Sequence, residues 1–440
     1  MLRSKRGPSM PKFGPPWLLH RAGRASRRAL FRVIVLIPLA GCGPSAPDAS
    51  GSGGFISRAL TQEHQGIVVR ASVLTDEESR RYFGGSTADA DAQPVWIQVR
   101  NDSDDPVLFL PILTDPVYYA PQEVAQRLHG WLSRRTNDLV DAAFQSNHMP
   151  YYVAAHHTAS GFVYTHEDGG LKLVNVGLAT ARGIVTFRFV LPIAGVQYAV
   201  QRVDFSRLYA PDTIQDMTLE QLRTKLEGLP CCVTNKDQSA NGDPLNLVIV
   251  GNGVDALFAF SARGWRLNEP VDAGSSWRMT KAFLFRSQYD TAPVSPLYVF
   301  SRYQDVALQK ARSTVSQRNH LRLWLAPFTL EGQNVWIGQI SRDVGVKLTT
   351  KSWSLTTHRI SAHVDQERDY LLQDLLLTGL VERFGYAKGV GESTSVNPRE
   401  NLTADPYYTD GLRLVVMLGA EPHPLQQVQR LDWERPLAAR

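Results

Sequence analysis

Short apolar segments separated by polar turns extend over residues 66–203, and this pattern restricts the fold more than any other feature of the chain. Residues 183–191 (GIVTFRFVL) alternate between apolar and polar side chains, as a strand with one buried face does. The turn at 167–170 (EDGG) separates two more segments of this type and indicates a hairpin. The pattern predicts an antiparallel β-sandwich, Ig-like in the loose sense, over residues 61–210.

A helical segment interrupts these strands. Residues 121–147 carry apolar side chains at approximately helical spacing, at Val124, Leu128, Trp131, Leu132, Leu139 and Phe144. We therefore expect a helical insertion that packs on the sandwich. A second, short helix is expected at 218–226, followed by a polar stretch at 235–243. Because that composition is typical of a connection, residues 211–243 are interpreted as a linker with a short helix.

Helices and strands mix without regular alternation beyond residue 244, which predicts an α+β domain over residues 244–422. Its first strand, at 245–250 (LNLVIV), is apolar except for Asn246 and is therefore of the buried type. The other expected elements are strands at 297–300, 306–310, 320–326, 335–341 and 412–418 and helices at 254–263 and 364–380. The fold class is therefore mixed: a β-sandwich with a helical insertion, then an α+β domain and a tail at 423–440.

The first 41 residues carry nine basic side chains and no acidic one. They end in the apolar run 33–40 (VIVLIPLA), which is too short to span a bilayer and is typical of a signal peptide. Residues 39–42 (LAGC) resemble the bacterial lipobox, and this resemblance implies that Cys42 becomes the diacylated first residue of a mature lipoprotein. Residues 42–60 are rich in small residues, Gly and Pro and are interpreted as a flexible tether.

Loss of this leader changes the charge of the protein. The chain has 47 basic and 42 acidic side chains, and only 38 of the basic ones lie after residue 41. A slightly acidic body has no general field that attracts nucleic acid. The predicted partner is the membrane, through the lipid anchor at Cys42. Because Gly43 follows that cysteine, resemblance to Gram-negative sorting rules favours the outer membrane or its periplasmic face within the cell envelope.

Seven stretches keep one order along the C-terminal half: GDPLNLV (242–248), PVSPLYVF (293–300), QDVALQK (304–310), HLRLW (320–324), VWIG (335–338), SRD (341–343) and HRISAHVDQERD (358–369). Together they resemble the LssY C-terminal domain family. The resemblance implies a bacterial envelope-associated domain whose function is not established. Other members can carry the domain after a membrane-embedded module related to lipid phosphatases. The phosphate motifs of that module have no counterpart here, so the resemblance implies no phosphatase activity.

Cys231 and Cys232 are adjacent and are the only cysteines besides Cys42. An exported compartment allows disulfides, but a bond between neighbouring cysteines closes a small strained ring. Two interpretations stay open: a pair of small, half-buried thiols, or a vicinal disulfide that stiffens the turn. We predict no metal at this pair, because no histidine lies nearby.

Standard catalytic motifs are missing from the chain. Polar residues instead concentrate between positions 305 and 369, within otherwise apolar strands. The candidate catalytic residues are His320 and Arg322, on one face of a strand, Asp343 at the end of another, and His358 and His363 before the late helix. Imidazole beside carboxylate suits acid–base catalysis. The alternative for each residue is an ordinary structural hydrogen bond or helix cap. No cofactor and no metal are predicted.

Two functions fit these features. The favoured one is a non-catalytic envelope lipoprotein that binds or assembles with an envelope protein, a glycan or a lipid head group. The alternative is a hydrolase acting on a phosphorylated or lipidic envelope compound, in which Arg322 holds the anion and a histidine is the base. Convergence of His320, Asp343 and His358 is the observation that separates them.

Overall fold

The computed structural model describes residues 46–47, 54–130, 134–193, 198–268, 296–311, 318–348 and 356–436. The N-terminal strands are β1 (Leu60–His64), β2 (Ile67–Val73), β3 (Ala92–Asn101), β4 (Val107–Leu110), β5 (Tyr152–Val153), β6 (His157–His166), β7 (Leu171–Thr180) and β8 (Gly183–Pro192). They form two antiparallel sheets, in the orders β1-β2-β3-β6 and β5-β4-β7-β8. Val69, Val95, Val176 and Phe187 are buried between the two sheets. The predicted β-sandwich is confirmed.

Helices cover the outer face of the β1-β2-β3-β6 sheet. The helices of this half are α1 (Gly54–Ser57), α2 (Asp76–Phe83), α3 (Pro111–Thr114), α4 (Pro121–Leu128) and α5 (Arg134–Ser146), with a 3-10 turn at Thr87–Ala90. Phe83 of α2, Val124 of α4 and Phe144 of α5 are buried against Trp96 and Phe162 of the sheet. The strand period of two explains this second core, because alternate residues of β3 and β6 point away from the sandwich interior.

The helical insertion is therefore confirmed, but as two helices instead of one continuous segment. Trp131 and Leu132 lie outside the described residues. The expectation for Leu139 is wrong: its side chain is 45% exposed. Val140 and Phe144 take the buried positions of α5, since residues four apart lie on the same helix face.

The described residues of the C-terminal half form one large mixed sheet and two small ones. The first strands are β9 (Gln215–Met217), β10 (Cys232–Thr234), β11 (Asn241–Pro244), β12 (Leu247–Val250), β13 (Arg266–Leu267), β14 (Tyr298–Val299), β15 (Arg302–Tyr303) and β16 (Val306–Ala311). The others are β17 (Arg318–Leu330), β18 (Gln333–Leu348), β19 (Thr356–Ile360), β20 (Val381–Ala387), β21 (Arg399–Glu400), β22 (Pro406–Tyr407), β23 (Arg413–Leu418) and β24 (Gln429–Arg430). The large sheet has the order β13-β16-β17-β18-β12-β23-β20-β24, with β19 beside β18 and β9 beside β17. The small sheets are β11-β10-β14-β15 and β21-β22.

Both faces of the large sheet are covered. Among the described residues, the helices of this half are α6 (Ala199–Arg202), α7 (Leu219–Glu227), α8 (Gly253–Ala262) and α9 (Asp365–Leu376), with 3-10 turns at Phe205–Arg207, Pro211–Thr213 and Leu425–Gln427. Phe260 of α8 and Leu375 of α9 pack in one core with Leu321 of β17. Leu222 of α7 packs in the other core with Trp324 of the same strand. The alternation predicted for this strand is thus confirmed, and the domain is α+β.

Several boundaries differ from those expected. The late helix ends at Leu376 instead of residue 380, and Gly379 follows it at φ +73°, a backbone conformation that favours glycine. β18 continues to Leu348, so Asp343 lies inside a strand. Residues 211–243, interpreted as a linker, contain β9 and α7 and pair with the C-terminal strands. The tail contributes β24, which pairs with β20.

The sandwich and the large sheet also contact each other. Leu171 of β7 is buried in the same apolar core as Phe260 of α8. Beside it, Arg188 of β8 donates to Asp255 of α8 at 2.6 Å. An apolar cavity opens at this junction.

Candidate functional site

The large sheet carries a row of buried polar side chains where β16, β17 and β18 lie side by side. Gln309, His320 and Ser341 are direct neighbours across the three strands, and Arg322 lies opposite Gln339. Direct cross-strand neighbours have Cβ atoms about 5 Å apart, so side chains from distant parts of the sequence meet. We call Gln309, Arg318, His320, Arg322, Gln339, Ser341 and Asp343 the polar row.

His320 and Asp343 form its centre. The His320 Nε2 lies 2.6 Å from the Asp343 Oδ2, and the two residues are 5% and 3% exposed. Arg318 donates its Nε–H to the same carboxylate oxygen at 3.4 Å, which favours the ionised form of Asp343. A carboxylate only accepts hydrogen bonds, so the neutral imidazole must carry its proton on Nε2. Its Nδ1 then holds a buried lone pair, with no hydrogen-bond partner among the described residues.

The two arginines of the row are held by amide side chains. Arg318 donates its Nη1–H to the Gln309 Oε1 at 2.7 Å, and Arg322 donates its Nη1–H to the Gln339 Oε1 at 2.8 Å. In the register of β17 and β18, Asp343 stands opposite Arg318 and diagonal to His320, whereas Arg322 stands opposite Gln339. These bonds fix the guanidinium planes, because the fork of donors on arginine has only a few orientations that suit its acceptors.

Burial controls the protonation of the row. It lowers the pKa of His320 from 6.5 to about 4, although the Asp343 carboxylate opposes the shift. Burial also lowers the pKa of Arg322, while Asp243 and Asp343 oppose it. The pKa of Asp243 is raised by burial, against a hydrogen bond from Asn401 at 3.0 Å and the charge of Arg322. At neutral pH His320 is therefore an uncharged imidazole between fixed charges.

The remaining two candidates lie elsewhere. His358 is in β19, where its backbone pairs with Val346, three residues beyond Asp343 along β18. The His358 side chain lies outside the described residues. His363 packs edge-on against Tyr408, with ring centroids 5.0 Å apart, and its backbone bridges to the same tyrosine. His363 thus stands beside a second cluster, at the start of α9.

That second cluster surrounds Arg368, which is fully buried. Its guanidinium binds both carboxylate oxygens of Asp410, at 2.7 and 3.0 Å, and one oxygen of Asp365 at 3.3 Å. Asp365 also accepts from the Thr409 hydroxyl at 2.7 Å. The pKa of Arg368 is raised by these carboxylates, which outweigh its burial. The cluster connects α9 to the loop before β23 and therefore has a structural role. Acidic residues at the start of a helix are expected to have such a role.

Other residues of interest were not among the candidates. Arg318 is one of them, and it contacts the carboxylate of Asp343. It lies on the same strand face as His320, two residues earlier, so extending the period-two alternation by two residues identifies it. Glu367 is fully buried and pairs with Arg342 at 2.7 Å. Nothing in the local sequence separates this pair from an exposed charged face, because its burial depends on the packing of α9 against β18.

The two adjacent cysteines are joined. A disulfide links Cys231 to Cys232, and the Cys232 sulfur lies 3.7 Å from the Tyr407 hydroxyl. Cys42 lies outside the described residues. Among the residues that the structure describes, no group of three or more His, Cys, Asp or Glu side chains is arranged to hold a metal ion. No helix in the same part of the chain is long and apolar enough to cross a bilayer.

Comparison with known proteins identifies one domain. Residues 223–412 match the family described as LssY C-terminus, so this segment is an LssY C-terminal domain. The matched segment begins within α7 and ends just before β23, and it contains the whole polar row. No curated protein matches the chain.

Proposed function

We propose that the protein, which carries an LssY C-terminal domain over residues 223–412, is a lipid-anchored hydrolase of the bacterial cell envelope. The anchor is Cys42, which follows a basic and apolar leader. Two acyl chains on one residue support stable membrane attachment. Changing Cys42→Ser should release the protein from the membrane fraction and abolish its sensitivity to globomycin. A Cys42→Ser protein that stays fully membrane-bound contradicts the anchor.

The contact between His320 and Asp343 carries the hydrolase proposal. Asp343 accepts from Nε2, at 2.6 Å, so the buried Nδ1 is the atom that acts as the base when water and the ester reach it. The imidazole takes a proton from water, and the water oxygen attacks the phosphorus or acyl carbon of an ester. The ester bond breaks, and the imidazolium returns the proton to the departing alcohol. In this proposal Asp343 stabilises the imidazolium, and Arg322, two residues further along the same strand face as His320, supplies the positive charge for the ester.

The substrate class that fits this arrangement is an ester of phosphate or of a carboxylic acid carried by an envelope compound. His320 is uncharged near neutral pH because burial depresses its pKa to about 4. A neutral imidazole is the form that acts as a base. The sequence features favour a binding function. The 2.6 Å contact between the His320 Nε2 and the Asp343 carboxylate supports catalysis instead.

The test uses the full-length protein and three chromogenic probes: p-nitrophenyl phosphate, bis(p-nitrophenyl) phosphate and p-nitrophenyl butyrate. The variant is His320→Gln, whose amide can still donate to Asp343 but cannot act as a base. The matched control is His129→Gln, because His129 also contacts an aspartate, Asp141, at 2.8 Å but lies in the sandwich domain. We expect hydrolysis of at least one probe, lowered about 100-fold or more by His320→Gln and unchanged by His129→Gln.

A wild-type protein that hydrolyses none of the probes, or a His320→Gln variant as active as the wild type, contradicts the hydrolase. Thermal unfolding of both variants separates loss of chemistry from loss of structure. The second candidate is the non-catalytic binding module. It is favoured by the amide partners of Arg318 and Arg322, which are typical of a cross-linked core. A membrane-bound protein with no turnover of any probe supports that candidate.

A further inference from the structure

An apolar cavity lies at the junction between the sandwich and the large sheet. Its volume is about 340 Å³. The walls come from β7 and β8 of the sandwich, from α6 and α8, and from β16, β17 and β18 of the large sheet. Small-molecule sites are typically clefts of about 300 to 1,000 Å³ lined mainly by apolar side chains, and this cavity lies at the lower end of that range.

The cavity is graded from a polar rim to an apolar floor. Gln201, Asn252 and Asn334 are exposed at the rim, together with Val254, which is 41% exposed. The floor is made of buried side chains: Leu171, Leu257, Phe260, Val306, Leu323 and Trp336. A ligand therefore has its polar end in water and its apolar end inside.

The chemistry of the lining excludes a charged ligand from the interior. No ionised side chain lines the cavity in the described part of the chain, and its polar groups are the three amides at the rim. A phosphate or carboxylate inside would lose its hydration without a cation to replace it. At the rim, Asn334 and the Nδ2 of Asn252 can bind an ester or hydroxyl group, whereas Gln201 is bonded to Tyr198 and Gly170 and the Oδ1 of Asn252 accepts from Val254. The small volume suits one unbranched chain rather than a lipid with several chains.

We infer that this cavity binds a single aliphatic chain of an envelope lipid. The chain enters past Val254 and extends over Leu257 toward Trp336, while its head group stays at the rim. Trp336 is held in place by an edge-on contact with Phe205, with centroids 5.6 Å apart, and by a hydrogen bond from its Nε1–H to the Gly251 carbonyl at 3.4 Å. The fixed indole of Trp336 therefore limits how far the aliphatic chain of the ligand can extend into the cavity.

This inference is independent of the hydrolase. Leu323 faces the cavity, whereas His320 and Arg322 point to the opposite face of the same strand, β17. The sheet therefore separates the two sites. Occupation of the cavity needs neither an active His320 nor any probe ester.

The experiment measures binding of the fluorescent fatty acid cis-parinaric acid to the full-length protein in detergent-free peptidiscs. Val254→Trp closes the rim without touching the core, and Val190→Trp fills the cavity from β8. Ile184→Trp is the matched control, because Ile184 lies on the same strand, on the same side, and is 49% exposed outside the cavity. We expect saturable binding, weakened at least tenfold in Val254→Trp and Val190→Trp and unchanged in Ile184→Trp and His320→Gln.

Competition identifies the part of the ligand that is recognised. Monopalmitoylglycerol, which has a neutral head, should displace the probe, while inorganic phosphate should not. A fatty acid brominated along its chain should quench the fluorescence of Trp336. The Trp336→Phe variant should therefore show less quenching by the same fatty acid than the wild type. Binding that is absent in the wild type, equal in all three tryptophan variants, or displaced by inorganic phosphate overturns the inference.

Discussion

Acidification should destabilise the protein through one buried histidine. Burial lowers the pKa of His320 from 6.5, the value for an exposed histidine, to about 4. Between these pH values the unfolded chain binds a proton that the folded protein does not bind. The contribution of His320 to stability is therefore fully present above pH 6.5 and is lost as the pH falls through about 4.

The magnitude follows from the two pKa values. Each pKa unit corresponds to about 1.4 kcal/mol, so the limiting loss well below pH 4 is about 3 kcal/mol. At pH 5 the unfolded chain is almost fully protonated at this position while the folded protein is not. The expected loss between pH 7.5 and pH 5 is therefore about 2 kcal/mol. This is a large part of the stability of an ordinary domain.

The assay is urea unfolding at pH 7.5 and pH 5, followed by tryptophan fluorescence. His320→Gln cannot be protonated in this range, so the wild type should lose about 2 kcal/mol more than this variant between the two pH values. His129→Gln is the control. His129 lies beside Asp141 in the sandwich domain, and unfolding of this variant at the same two pH values measures the effect of removing a histidine that contacts an aspartate away from the polar row.

Nitrogen NMR of labelled histidine tests the same reasoning directly. The signal missing from His320→Gln identifies the residue in the wild-type spectrum. We expect an uncharged ring at pH 5, with the proton on Nε2 and a bare Nδ1, because Nε2 donates to Asp343. A His320 pKa of 6 or above, a proton on Nδ1 in the neutral ring, or equal stability losses in the wild type and His320→Gln refutes the reasoning.

Three further predictions concern a buried arginine, a tightly packed glycine and the disulfide. Arg413→Met should lower the free energy of unfolding by about 3 to 5 kcal/mol, measured by urea titration, because this fully buried side chain donates to four backbone carbonyls at 2.7 to 3.1 Å. Gly161→Ala should cost about 1 to 3 kcal/mol in the same assay, since a Cβ there would lie 2.5 Å from the His148 backbone; an unchanged midpoint would contradict it. Maleimide labelling after denaturation should add two labels, at Cys231 and Cys232, only when a reductant is present. Two labels without reductant would show free thiols.

The elements of the polar row could be predicted in part. Period-two alternation correctly separated His320 and Arg322 from Leu321 and Leu323, because in any strand successive side chains point to opposite faces. Arg318 lies two residues before the predicted start of its strand at position 320, and the predicted strand at 335–341 ends seven residues before Leu348, so it leaves out Asp343. Both omissions arise at strand ends, where polar residues look like the start of a loop.

The grouping of the histidines was harder to predict. His363 has acidic neighbours in the sequence, at Asp365 and Glu367, yet its ring packs on Tyr408. His320 has no acidic residue between positions 306 and 330, yet its ring meets Asp343. The difference depends on which strand lies beside β17 and on where α9 begins. Neither property is encoded in the neighbours of a residue along the chain.

The sequence by itself determined the local features: the strand faces, the helix at 253–262, the sandwich pattern and the order of motifs that match the LssY C-terminal domain. These features follow from backbone periodicity, which repeats within a few residues. Only the tertiary structure decided that His320 meets Asp343, that Arg368 forms a separate cluster, and that an apolar cavity opens beside Trp336. Such contacts join residues far apart in the chain, and their distances depend on strand order and register, which are set by packing of the whole core.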